Sequence, residues 1–89
     1  MDFHEIKEVL KEFDFELEGE GTQSISFVRK IKWRTVSFAY FSNTGRIRIG
    51  CSPDQTLIHG FRVDTPHEVK FVLERLTCLN PDPAPFLMM

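Results

Sequence analysis

Cysteine is scarce in this chain. Cys51 and Cys78 are the only two, and a pair of thiols cannot make the multi-bridge framework on which small secreted domains rely. Cys51 closes a strand-like run and Cys78 a helix-like run, so both read as buried free thiols acting as small hydrophobes. Nothing in the pattern supports a bridge between them. Long apolar runs are missing too, and no stretch approaches the roughly 20 residues of a membrane span. The opening MDFHEIKEVLKEF is charged and amphipathic, without the apolar core of a secretory signal. The expected location is therefore the cytoplasm, with no membrane contact.

Ligand-holding motifs are equally sparse. His4, His59 and His67 are the only histidines, none spaced four residues from another ligand, and neither HExxH nor CxxC occurs. That pattern argues against a metal site. Gly19-Glu20-Gly21 lacks the lysine and the following helix of a phosphate loop. Cys51 has His59 within reach of a turn, but no helix start or cation beside it to favour a thiolate, so it reads as a strand-end thiol. The sequence therefore predicts no enzyme, no metal and no cofactor.

What is abundant is phenylalanine, with nine in 89 residues. That suggests a core, or a core and an adhesive surface, built on aromatics, and the length suits one domain. Charge is present but segregated. Residues 1–20 hold eight acids (Asp2, Glu5, Glu8, Glu12, Asp14, Glu16, Glu18, Glu20) against Lys7 and Lys11. Residues 21–53 hold six bases (Arg29, Lys30, Lys32, Arg34, Arg46, Arg48) and no acid. The simplest expectation is that the two segments neutralise one another across the fold.

Apolar Phe3, Ile6, Val9, Leu10 and Phe13 recur at helical spacing, with Asp2 as N-cap and Glu5 completing a capping box. Glu8 and Glu12 line up with Lys11 and Lys7 on the wet side. The period then becomes two. Phe15, Leu17, Ile25 and Phe27 alternate with Glu16, Glu18, Ser24 and Ser26 on either side of a turn at 19–22, which reads as a hairpin. The run 29–34 has no Gly or Pro; a turn is expected near 29–32, followed by a strand from Trp33 to Phe41.

Ser42-Asn43-Thr44-Gly45 is a turn signal. A four-residue loop there sets Phe41 opposite Arg46, Tyr40 opposite Ile47, Phe38 opposite Ile49 and Val36 opposite Cys51. This register gathers the apolar residues on one face, whereas a one-residue slip would mix arginines into it. Residues 56–63 suggest a further strand, weakened by Gly60. Thr65, Pro66 and Glu68 open a second helix with a capping box and the stripe Val69, Val72, Leu73, Leu76. The expected fold is α+β: a small antiparallel sheet of about four strands between an N-terminal and a C-terminal helix, in the order α-β-β-β-β-(β)-α. It forms a single domain over 1–79. A Pro-rich tail over 80–89 is expected to be extended and ends Phe86-Leu87-Met88-Met89.

The second face of the 33–48 hairpin would carry Trp33, Phe41, Arg46 and Arg48, with Lys30, Lys32 and Arg34 beside it. Trp, Arg and Phe are types enriched at protein interfaces. This face, joined by Phe86 and Leu87 of the tail, is thus expected to bind a protein partner or a second copy of the chain. The acidic strand Glu16, Glu18, Glu20 is either a second surface, suited to a basic partner, or an edge charged against strand pairing. The same basic and aromatic residues also suit single-stranded nucleic acid, where bases stack on rings and phosphates meet cations. The acidic sequence pI of about 5.9 weighs against that alternative.

Overall fold

Local signals in the chain set where both helices begin. In the computed structural model, which describes residues 1–52 and 55–76, α1 spans Phe3–Glu12 and is capped by Asp2. Asp2 Oδ1 accepts from the Glu5 backbone N–H at 2.9 Å, and the Asp2 N–H donates to Glu5 Oε1 at 3.1 Å. Helix α2 spans Pro66–Glu74 and repeats the device, with Thr65 as N-cap and Glu68 reaching back to the Thr65 N–H. Each cap satisfies backbone donors that the first turn of a helix leaves unpaired.

Between the helices run β1 (Glu16–Glu20), β2 (Ser24–Ile31), β3 (Arg34–Phe41), β4 (Arg46–Ser52) and β5 (Gln55–Arg62). They form one antiparallel meander in the order β1-β2-β3-β4-β5. The β3–β4 register is the one the four-residue loop predicts: Phe41↔Arg46, Tyr40↔Ile47, Phe38↔Ile49 and Val36↔Cys51. Gly45 closes that loop at φ 71°, a left-handed conformation that glycine takes without a Cβ clash. Its N–H donates to the Phe41 carbonyl at 2.8 Å.

Alternation then divides the sheet. Ile25, Phe27, Ile31, Val36, Phe38, Tyr40, Ile47 and Ile49 point to one face and are buried there with Ile6, Val9 and Leu10 of α1 and Val69, Val72 and Leu73 of α2. Phe38 is the centre of this layer, 1% exposed, with the rings of Phe15 and Phe27 edge-on at 6.5 and 6.2 Å. Full burial of one such side chain stabilises by about 1.5–3 kcal/mol. Among the described residues no charged or polar side chain is buried, so the core is specified by shape and alternation.

The further strand that residues 56–63 suggest forms as β5, and Gly60 sits at one of the two shifts of the β4–β5 register, at φ 79°; it serves a bulge and does not end the strand. Other local expectations are corrected. Strand β2 runs on to Ile31, and the β2–β3 turn is the two-residue loop Lys32-Trp33, later than the expected 29–32. Lys32 takes φ 56° there. Trp33 therefore lies in the turn and not on the strand. Leu17 faces the core side opposite Phe27 but is 50% exposed, because β1 is an edge strand. Lys7 and Glu12 of α1 pair outside their helix, Lys7 with Glu20 of β1 at 2.8 Å and Glu12 with Lys70 of α2 at 3.2 Å. Cys51 is a half-buried free thiol, whereas Cys78 lies outside the described residues. So does the expected tail over 80–89, with Phe86 and Leu87.

The end of α1 offers a test. The Phe15 N–H donates to the Leu10 carbonyl and the Asp14 N–H to the Lys11 carbonyl, both at 3.0 Å, a Schellman termination. It requires φ 63° at Asp14, where a Cβ costs about 1 kcal/mol. Arg29 completes this end by donating to the Phe13 carbonyl at 2.9 Å. Thermal unfolding should rank Asp14→Gly above the parent by about 0.5 kcal/mol and Asp14→Ala below it. Equal stability of the Gly and Ala variants would contradict this termination.

Candidate functional site

The basic and aromatic residues that the sequence groups on one face are divided by the structure between two places. Trp33 and Phe41 bound opposite ends of β3, eight residues apart, or about 26 Å of strand. Lys30, Lys32, Trp33 and Arg34 gather at the β2–β3 hairpin tip. Phe41 and Arg46 lie at the other end beside the 42–45 loop, and Arg48 is one pleat inward.

At the tip, Trp33 is 78% exposed. The Arg34 guanidinium lies 5.8 Å from its ring centroid, at the outer reach of a cation–π contact. The turn has two residues, so neither of them can fold back to the core. Lys32 holds a conformation that glycine or asparagine would adopt more cheaply. Lys30 and Lys32 make no side-chain hydrogen bond or ion pair within the described residues.

The second place is the face of the sheet opposite the helices. No described element covers it. The pairings place its residues in rows that cross the strands. One row is Gly19, Ser26, Ala39, Arg48 and His59; the next is Glu16, Val28, Ser37, Gly50 and Thr56. Glu18 is the extra residue where the β1–β2 register shifts and joins this face, lining a shallow depression with Ser26, Ser37, Ala39, Gly50 and Arg48. The depression measures about 240 Å³. A second, of about 220 Å³, shares Ser37, Arg48 and Gly50 and continues toward Thr35 and Thr56. The face is thus a flat trough floored by small hydroxyl, methyl and glycine positions.

Charge is distributed unevenly over this floor. Glu16 and Glu18 stand at the β1 side; Arg46, Arg48, His59 and Arg62 stand at the β4–β5 side. Arg46 is tied down by donating to the Gly60 carbonyl at 2.8 Å, and Arg62 by Asp64 at 3.4 Å. Arg48 is exposed and makes no side-chain hydrogen bond or ion pair within the described residues. Glu18 and Arg48 are three strand spacings apart, about 14 Å between backbones, so they stand across the trough from one another. The expected neutralisation of the acidic by the basic segment is therefore not made between these two groups.

His59, His4 and His67 are all exposed, and no three His, Cys, Asp or Glu side chains among the described residues converge as a metal would need. No described helix is long and apolar enough to cross a membrane. The acid-lined bulge at Glu18 was beyond sequence reading, since Phe15 to Glu18 alternates regularly; only the paired glycines at 19 and 21 hinted at irregular backbone. His59 and Arg62 were missed as members of this face because β5 was the least certain strand. No protein-family model matches the chain, and no curated protein or solved structure matches it significantly.

Proposed function

We propose that this chain is a non-enzymatic interaction module that works in the cytoplasm and receives a folded protein surface, of another protein or of a second copy, on its open sheet face. The observation that carries this reading is the face itself: five strands wide, uncovered by either helix, floored by small residues and holding Arg48 without a side-chain partner among the described residues. A small-molecule site is normally a concave cleft that surrounds most of its ligand. The depressions on this face are shallow and shared between strands, which suits a flat partner. Small floor residues let a second surface approach closely, and an exposed arginine is the residue type that anchors interfaces. Relative to the sequence expectation, Arg48 and Arg46 keep their place in this reading, while Trp33 leaves it.

The reading is tested by placing a photoreactive side chain at Ser37, on the open face, or at Lys11, on the exposed side of α1, in cells that carry the protein natively. Position 37 should give an adduct of one defined mass and position 11 none. No adduct from position 37, or the same adducts from both positions, would overturn it.

The hairpin tip favours a second reading. Trp33, held out by a two-residue turn among Lys30, Lys32 and Arg34, is a stacking platform within a cluster of cations, the combination that single-stranded nucleic acid uses. Trp33 is the single tryptophan, so its fluorescence reports on the tip directly. If the tip binds, a single-stranded oligonucleotide quenches that emission saturably at low salt, and affinity falls steeply as salt rises. Unchanged emission at low salt would remove this reading and leave the sheet face untouched.

A further inference from the structure

The open face is self-complementary. Consider a two-fold axis lying in the plane between two such faces and parallel to β3. Rotation about it reverses the strand order while keeping each row level, so β1 of one copy lies over β5 of the other and β2 over β4. The central strand meets itself, with the small Thr35, Ser37 and Ala39 each over its own copy and the exposed Phe41 over Phe41 at the strand end, the two sheets apart by the usual spacing of about 10 Å. In the row of Ser26 and Ala39, Glu18 of one copy then stands over His59 and beside Arg48 of the other, and the axis repeats the contact. An axis perpendicular to the strands would instead set β1 over β1 and β4 over β4, bringing the acid side against itself and the arginine side against itself. The uneven charge of the face therefore selects one of the two face-to-face arrangements.

We infer that two copies of this chain pack through their open sheet faces about a two-fold axis parallel to β3, with Glu18 of each copy engaging Arg48 of the other. The inference rests on the reading of the open face as a protein-binding surface and names its occupant. It explains why Glu18 and Arg48, about 14 Å apart in one chain, face each other across the trough without meeting. Five strands at about 4.8 Å and seven or eight residues at about 3.3 Å give a face of about 600 Å². The pair would bury about 1,200 Å², the lower edge of specific interfaces. The dimer is accordingly concentration-dependent, and salt weakens it by screening the Glu18–Arg48 pairs. Isologous two-fold contact is the commonest form of protein self-association.

Charge reversal of the full chain tests it. Sedimentation of the parent should show a monomer–dimer equilibrium. Glu18→Arg and Arg48→Glu should each weaken dimerisation at least tenfold by setting like charges together, and the double variant E18R/R48E should restore it to within about threefold. Ser37→Arg, which places two guanidinium groups on the axis, should abolish the dimer while circular dichroism shows the fold kept, since position 37 is exposed. A parent that is monomeric at every concentration, or a dimer indifferent to the single reversals or not rescued by the double one, would overturn the inference. A monomeric parent that still gives a heterologous adduct from position 37 would overturn the dimer alone. A monomer with no adduct would overturn the broader reading as well.

Discussion

The pairing of β3 with β4 across the loop 42–45 is the constraint from which the rest of the molecule follows. Side chains alternate along a strand, so that register decides which face each residue of two strands occupies. It puts Val36, Phe38 and Tyr40 beside Ile47 and Ile49 on one side, and both helices must cover that side to remove it from water. The other side is then left with Thr35, Ser37, Ala39, Phe41, Arg46 and Arg48, mostly small or charged, and neither helix covers it. A one-sided core and an open face are two consequences of one hydrogen-bonding register.

That division also organises the charge. On the helix side, α1 pairs with its neighbours, by Glu12 with Lys70 of α2 and by Lys7 with Glu20 of β1. Pairs of this kind, around half exposed, add little stability each. Arginines that meet the core side or the sheet ends are taken up by backbone carbonyls, as Arg29 is by Phe13 and Arg46 by Gly60. On the open face, Glu18 and Arg48 have no such partner among the described residues and stand on opposite sides. The acidic and basic segments of the sequence thus remain partly separate in the folded chain, and the separation gives the open face a direction.

Much of this was legible in the residues. Asp2 with Glu5 and Thr65 with Glu68 announce both helix starts, because capping is a local interaction over three residues. The β3–β4 register follows from loop length together with the cost of burying Arg46 or Arg48. The β2–β3 turn was placed too early because no glycine, proline or asparagine marks it; Lys32 adopts the left-handed conformation without the residue type that usually reveals it. That error moved Trp33 onto a strand face and merged two surfaces into one. The bulges at Glu18 and Gly60 depend on pairing with a neighbouring strand, so local pattern could not fix which residues joined the open face. Leu17 has the right face but an edge position, and strand order is a property of the whole sheet.

Strand β3 alternates between a helix-covered core and a face free of helices, and proton–proton Overhauser contacts in solution test this alternation directly. Contacts are expected from the Phe38 ring to the rings of Phe15 and Phe27, together with Phe3 to Tyr40, and none from the Ala39 methyl to any proton of α1 or α2. Contacts between Ala39 and either helix, with Phe38 lacking its aromatic neighbours, would place the core on the opposite face and contradict it.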